Sequence, residues 1–227
     1  MTERAAEREP LGRVVRPVVP LAVADFADGM AFGALAVSIG LGVLAPVVMS
    51  LLVFSGSAQY GAIAVLGHDG SLWAVVGTAA ALNARYLLMG TTIAPALTGS
   101  PWSRVGRALL ITDGSWAVAH RGGGRYDMRV LTVAGLLCLC GWTAGTALGA
   151  VLGGAIGDPA RFGLDAAYPV FFLGLLRSQL TSGRAWSLAA VGVAAVAGLA
   201  PFTPPGIPVL LAGAAGAVAG AVLGARR

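Results

Sequence analysis

Long apolar runs, separated by short polar stretches, dominate the pattern of this chain. A membrane-spanning helix needs about 20 mainly apolar residues, and eight runs reach or approach that length. They cover residues 17–42, 45–66, 71–97, 105–119, 130–155, 166–180, 186–202 and 207–225. The pattern predicts an all-α, polytopic helical membrane protein with seven to eight membrane segments.

Two of the runs, 105–119 and 166–180, are short for a regular crossing. Irregular backbone at membrane depth is tolerated only where it lines a protein cavity, so both predict broken or re-entrant helices. The small residues of 141–149 are spaced like those of 29–40. An inverted repeat, as in many transporters, is one interpretation. Close packing of generic Gly/Ala-rich helices is the other.

Composition strengthens the membrane assignment. Hydrophobic residues make up 57% of the chain and charged residues 11%, which leaves too little polar surface for a soluble domain. All 15 basic residues are Arg, and the pI is about 10. In a soluble protein this would suggest nucleic acid. Here the arginines lie mainly between apolar runs, so we expect a lipid bilayer and no nucleic acid as the partner.

The arginines also predict an orientation. We interpret residues 1–16 as a cytoplasmic N-terminal tail and residues 17–225 as a transmembrane transport domain. If all eight runs cross, the tail shares one side with the loops 121–129 and 177–184 and with the final Arg pair. The positive-inside rule makes that side the cytoplasm. Arg104 and Arg107 would then lie outside, which counts against eight crossings; if the fourth run does not cross, the count is seven.

Polar groups within apolar runs are the candidate site residues, because such groups are costly in lipid. Arg85 cannot lose its proton and must pair with a carboxylate or face water; Asp28 and Asp113 are at suitable depths. Two carboxylates remain for protons, cations or a cationic part of a substrate, which suits a proton-coupled carrier of zwitterions. A structural Arg–Asp pair with solvated neighbours is the alternative. The candidates are Asp25, Asp28 and Asp113 as proton or ion-pair residues, and Ser55, Gly56, Gln59, Asn83 and Arg85 for substrate binding.

The stretch SLLVFSGSAQYGA (50–62) places small and polar residues inside an apolar run. Gly56 and its neighbours would let the backbone unwind and offer amides and carbonyls at mid-membrane. Alternatively, these residues serve close packing, with Gln59 bonded across helices. For Asn83 the alternative is likewise a hydrogen bond to a neighbouring helix. Cys138 and Cys140 lie two apart and are interpreted as small packing residues, so we predict no metal site.

Five motifs, in this order, resemble the AzlC family: SLLVFSGSAQYGA (50–62), NARYLLMG (83–90), ITDGSWAV (111–118), GWTAGTALG (141–149) and GLDAAYPVFF (163–172). The resemblance implies export of valine, leucine, isoleucine and analogues such as azaleucine across the cell membrane. It also implies proton coupling, a small AzlD-type membrane partner and no cofactor. Tyr86 stands where the family often has His, and Gly114 stands where it often has Glu.

Other functions remain open from the residues. An intramembrane enzyme would need Ser57 activated by His68 or His120, and no ordered Ser–His spacing is present, so we predict no enzyme. A channel or a scaffold subunit of a membrane complex would also suit Gly-rich helices with few charges. For a carrier, the substrate's aliphatic side chain would need an apolar pocket, which we expect from Phe32, Phe54 and Leu87.

Overall fold

The computed structural model describes residues 11–156 and 180–203, with single positions between 170 and 177 and between 211 and 216. The described residues form helices and no named strand, which confirms the all-α prediction. The α-helices are α1 (Leu11–Val15), α2 (Val19–Ser38), α3 (Leu44–Leu52), α4 (Gly56–Leu66), α5 (Leu72–Ile93), α6 (Pro101–Ala108), α7 (Asp113–Ala119), α8 (Met128–Ile156) and α9 (Gly183–Leu199).

Four stretches of the described chain are long and apolar enough to cross a membrane: Val19–Ser38, Leu72–Ala96, Met128–Gly153 and Ala185–Phe202. They correspond to α2, α5, α8 and α9. The predicted runs 207–225 and, for the most part, 166–180 lie outside the described residues. α1 falls within the predicted tail, but its Val14 is buried in an apolar cluster at the start of the bundle.

α2 and α8 form the centre of the bundle and run parallel. Successive glycines of α8 lie against successive turns of α2 in the same order: Gly141 against Ala22, Gly145 against Phe26, Gly149 against Met30, and Gly153 against Ala34. A Cβ at Gly145 would meet the backbone carbonyl of Phe26, so only glycine permits this approach. The two Gly-rich stretches thus pack on each other, and their parallel course does not support an inverted relation between them.

Two half-helices, α3 and α4, form a hairpin (hairpin A, residues 44–66) that enters from the C-terminal end of α2. Both its ends lie there: α3 follows α2 closely, and Gly67 packs against Ile39. Its turn lies deep in the bundle, where Phe54 packs against an apolar cluster near the start of α2. In α4, the returning half of hairpin A, Tyr60 Oη donates to the Asp28 carbonyl at 2.8 Å.

A second pair, α6 and α7, forms hairpin B (residues 101–119) from the opposite end. Leu97 precedes the hairpin and Ala119 is its last residue, and both pack in the apolar cluster around Val14. Between them the chain reaches inward, and Gly114 lies against Leu21 of α2. Hairpin B therefore returns to the side from which it came.

These hairpins correct the expectation that all eight runs cross. Runs 45–66 and 105–119 do not cross the bundle; each is a broken helix that returns. The sequence indicated this alternative for 105–119, whereas for 45–66 the predicted crossing was wrong and only the break near Gly56 was expected. Between the two hairpins, α5 runs antiparallel to α2, because its early turns pack on Gly61 while Ile93 joins the Val14 cluster. α2, α5 and α8 therefore alternate in direction.

The corrected topology places the described arginines between residues 16 and 129 that lie outside the spans at one end of the bundle. Arg107 Nη1 donates to the Thr98 carbonyl at 3.1 Å, next to the Val14 cluster. The 121–129 loop lies at the same end, because it connects Ala119 and Val130, two members of that cluster. Arg104 and Arg107 thus lie on the same side as these other arginines, so they no longer count against the positive-inside orientation.

Candidate functional site

The turns of the two hairpins meet beside the middle of α5. Each returning half-helix begins at a hydroxyl N-cap: the Ser55 side chain accepts from Ala58 N in α4, and Thr112 forms a capping box with Ser115 in α7. Such caps satisfy amides that a broken helix leaves without partners. Phe54, just before Ser55, has φ of +37°, a conformation rare for a bulky residue.

Arg85 of α5 joins both turns. Its Nη2 lies 2.9 Å from Asp113 Oδ2 at the start of α7 and donates to Ser57 Oγ at 2.9 Å in α4. Its guanidinium also lies 5.0 Å from the ring centroid of Tyr86. The structure thus confirms that Arg85 pairs with a carboxylate and shows that, of the two candidates, Asp113 is the partner rather than Asp28.

A cavity of about 230 Å³ opens in front of this pair, and we call it the charged cavity. The side chains of Arg85 and Asp113 are 28% and 34% exposed, so the pair is not sealed from small molecules. The lining residues are Leu21, Ala24, Asp25, Asp28, Phe54, Gly56, Ser57, Arg85, Tyr86, Thr112, Asp113, Gly114 and Trp142.

The charges of this cavity come from three different helices. α5 contributes Arg85, α7 begins with Asp113, and α2 contributes Asp25 and Asp28, one helical turn apart. Among the described residues, no basic side chain forms an ion pair with Asp25 or Asp28. Asp25 is hydrogen-bonded to the buried Cys138 thiol. The arrangement can therefore hold a molecule that carries one negative and one positive group.

Ser55 and Asn83 lie just behind the charged cavity. Ser55 Oγ donates to Asn83 Oδ1 at 2.6 Å, which ties hairpin A to α5. α5 is unbroken here, although Asn83 and Arg85 are only two residues apart. Both reach the start of α4, because Asn83 contacts Ser55 while the longer Arg85 extends to Ser57.

Gln59 is separated from the charged cavity by Trp142. It is fully buried, and its Nε2 donates to Ser50 Oγ at 3.3 Å. Ser50 also accepts from Trp142 Nε1 at 3.1 Å and bonds Thr146 Oγ1 at 3.0 Å. The Oε1 atom of Gln59 has no hydrogen-bond partner within the described part of the chain. This position matches the interhelical alternative that the sequence left open.

A second cavity of about 230 Å³, the apolar cavity, adjoins the first. It is lined by Val53, Phe54, Asn83, Tyr86, Gly90, Ala108, Leu109 and Ile111, so it lies where the turns of both hairpins approach α5. Of the expected pocket residues, Phe54 lines both cavities. Phe32 is instead stacked on Trp142 in the core, and Leu87 is 74% exposed on the outer face of α5; the prediction was wrong for Leu87.

Sequence reasoning missed Thr112 and Trp142 as lining residues and considered Ser57 only as a nucleophile. In the structure Ser57 Oγ accepts from Arg85. His68 bonds the Ala64 carbonyl at the far end of α4, and His120 stacks on Trp116. Thr112 carries a readable signal, since Thr is a favoured N-cap residue; its capping box with Ser115 is seen only in the structure.

Comparison with known proteins gives a family. A family model described as AzlC protein matches residues 20–156, which includes both hairpins and every residue of the charged cavity. The inner membrane protein YgaZ of Escherichia coli (strain K12) is 26% identical over 200 residues, which cover 82% of this chain and 80% of the relative. No solved structure matches the chain.

Proposed function

This helical membrane protein belongs to the AzlC family, and we propose that it exports branched-chain or related aliphatic amino acids across the cell membrane. The substrates would be valine, leucine, isoleucine and analogues such as azaleucine. The observation that carries the proposal is the charged cavity, which a guanidinium lines together with two carboxylates that have no cationic partner among the described residues.

An amino acid fits this charge distribution as a zwitterion. Its carboxylate would bind Arg85 and the amides at the start of α4, since the N-terminus of a helix favours negative charge. Its ammonium would bind Asp25 or Asp28, which α2 contributes to the same cavity. Gly56 leaves the backbone open to the ligand, and Ser55 and Asn83 hold the turn in place.

Proton coupling follows from competition for Arg85. A substrate carboxylate that binds Arg85 displaces Asp113, which then needs another positive partner in a site of low dielectric. A proton is the simplest such partner. Under this proposal Asp113 carries the coupled proton, while Asp25 and Asp28 serve the substrate ammonium.

The proposal includes orientation and partner. The arginine-rich end of the bundle would face the cytoplasm under the positive-inside rule, with the N-terminus on that side. A small AzlD-type membrane protein would complete the exporter. The outer face of α5, with exposed Trp73, Val76 and Leu88, offers an apolar surface for such a partner or for lipid.

Efflux from cells loaded with branched-chain dipeptides tests the proposal. We would compare the chain alone, with its small partner, and with neither. Arg85→Gln should abolish efflux while the protein remains in the membrane. Arg121→Gln, which breaks the exposed pair with Asp127, is the matched control and should retain efflux. Full efflux in the Arg85 variant would exclude the proposed site.

A further inference from the structure

We propose that the apolar cavity receives the aliphatic side chain of the substrate and limits its size. This inference rests on the proposed function, because it assigns a second subsite to the same ligand. The charged cavity recognises the groups that all amino acids share. The apolar cavity would then decide which amino acids are carried.

Continuity between the two cavities is the first argument. Phe54 and Tyr86 line both of them, so the cavities meet at these two rings. Tyr86 directly follows Arg85 along α5. A ligand whose carboxylate is bound by Arg85 therefore has its remaining atoms close to the junction.

The chemistry of the lining is the second argument. Val53, Ala108, Leu109 and Ile111 contribute only apolar side chains, and Gly90 contributes none. The polar residues of the lining are Asn83 and Tyr86: Asn83 Oδ1 accepts from Ser55 Oγ, and Tyr86 Oη accepts from Arg85 Nη2 at 3.4 Å. A site of this composition favours a hydrocarbon group and offers little to a polar side chain.

A lipid acyl chain is the competing occupant. Val53 and Leu109 are 46% and 64% exposed, so the apolar cavity also opens towards the surface of the bundle. The junction with the charged cavity favours the substrate side chain, because a lipid tail gains nothing from neighbouring charges. The two occupants predict different effects of narrowing the cavity.

Gly90 is the position at which the cavity can be narrowed with least disturbance. A Cβ added there meets no atom within 4 Å, and any residue other than Pro favours a helix interior over Gly. Gly90→Val therefore fills cavity space without forcing helices apart. Gly192→Val is the matched control, since Gly192 lies inside α9 and its added Cβ is equally free of contacts.

The experiment measures efflux of alanine, valine and leucine by each variant, together with the small partner. Gly90→Val should lower leucine efflux relative to alanine efflux by about tenfold or more, the usual effect of one or two methylenes in a fitted pocket. Gly192→Val should leave that ratio unchanged. An equal change for all three substrates, or none, would overturn the proposal and point to a lipid-filled groove.

A widened cavity provides an independent variant should Gly90→Val not accumulate. Leu109→Ala should raise efflux of phenylalanine relative to valine, whereas Leu88→Ala, on the outer face of α5, should not. If the unmodified protein carries none of these amino acids, the proposed function fails as well. If it carries them and neither variant changes the ratio, only the apolar subsite fails.

Discussion

The ion pair between Arg85 and Asp113 should contribute measurably to stability. At 2.9 Å and an effective dielectric constant of about 20, two unit charges attract by roughly 6 kcal/mol. Desolvation offsets much of this attraction, and partial exposure of both groups screens it further. We therefore expect a net coupling of about 1–3 kcal/mol, between the values typical of exposed and buried pairs.

A double-mutant cycle isolates this coupling. Arg85→Gln and Asp113→Asn each remove one charge with little change in shape, and the double variant removes both. Each single variant leaves an uncompensated group beside lipid, so the double variant should be more stable than the sum of the single effects predicts. Thermal unfolding of the purified protein in detergent, followed by size-exclusion chromatography, would measure the three differences.

The size of the coupling decides whether the hairpins are joined through these charges. A coupling free energy below about 0.5 kcal/mol would refute the reasoning, since it would mean that Arg85 and Asp113 act independently. The exposed pair Arg121–Asp127, with its atoms 3.4 Å apart, provides the control cycle. Its coupling should be at most about 1 kcal/mol.

Three further predictions concern packing, the buried amide and topology. Gly145→Leu should destabilise the α2–α8 contact by at least about 1–3 kcal/mol, measured by thermal unfolding, whereas Gly192→Leu should not; equal stability would contradict the close approach of α8 to α2 at Gly145. Gln59→Leu removes an unpartnered buried acceptor and should retain both stability and efflux; lost efflux with normal stability would place Gln59 in the substrate site. Cysteines at Arg104 and Arg121, near the two ends of hairpin B, should react with impermeant maleimide from the same side of the membrane; labelling from opposite sides would refute the returning hairpin.

Hydropathy identified the apolar runs but not their course through the bundle. Residues 45–66 are as apolar as a crossing helix, yet they turn back at Phe54. The length of an apolar run indicates burial in hydrocarbon, but it does not show whether the run crosses or turns back. Local N-cap residues do indicate a turn. Ser55 and Thr112 each begin a capped helix inside an apolar run, where a continuous helix needs no cap.

The grouping of the charged residues, in contrast, could be predicted. A charge in an apolar run must be solvated or paired, which groups Arg85, Asp28 and Asp113, and all three line one cavity in the structure. The face of α4 on which Gln59 lies could not be predicted in the same way. Nearly every residue from Ser57 to Val65 is buried, so the periodicity that separates a cavity face from a packing face is missing.

The broken helices explain why the cavity lies where it does. Each break leaves backbone amides and carbonyls at a depth where water is scarce, and caps satisfy only some of them. Placing two breaks side by side concentrates the remaining polar groups around Arg85, so one cavity serves both. Under the proposed function, a ligand with a carboxylate and an ammonium binds these groups. The irregular backbone that would destabilise a single span then supplies the proposed binding surface, because two hairpins enter from opposite ends and meet.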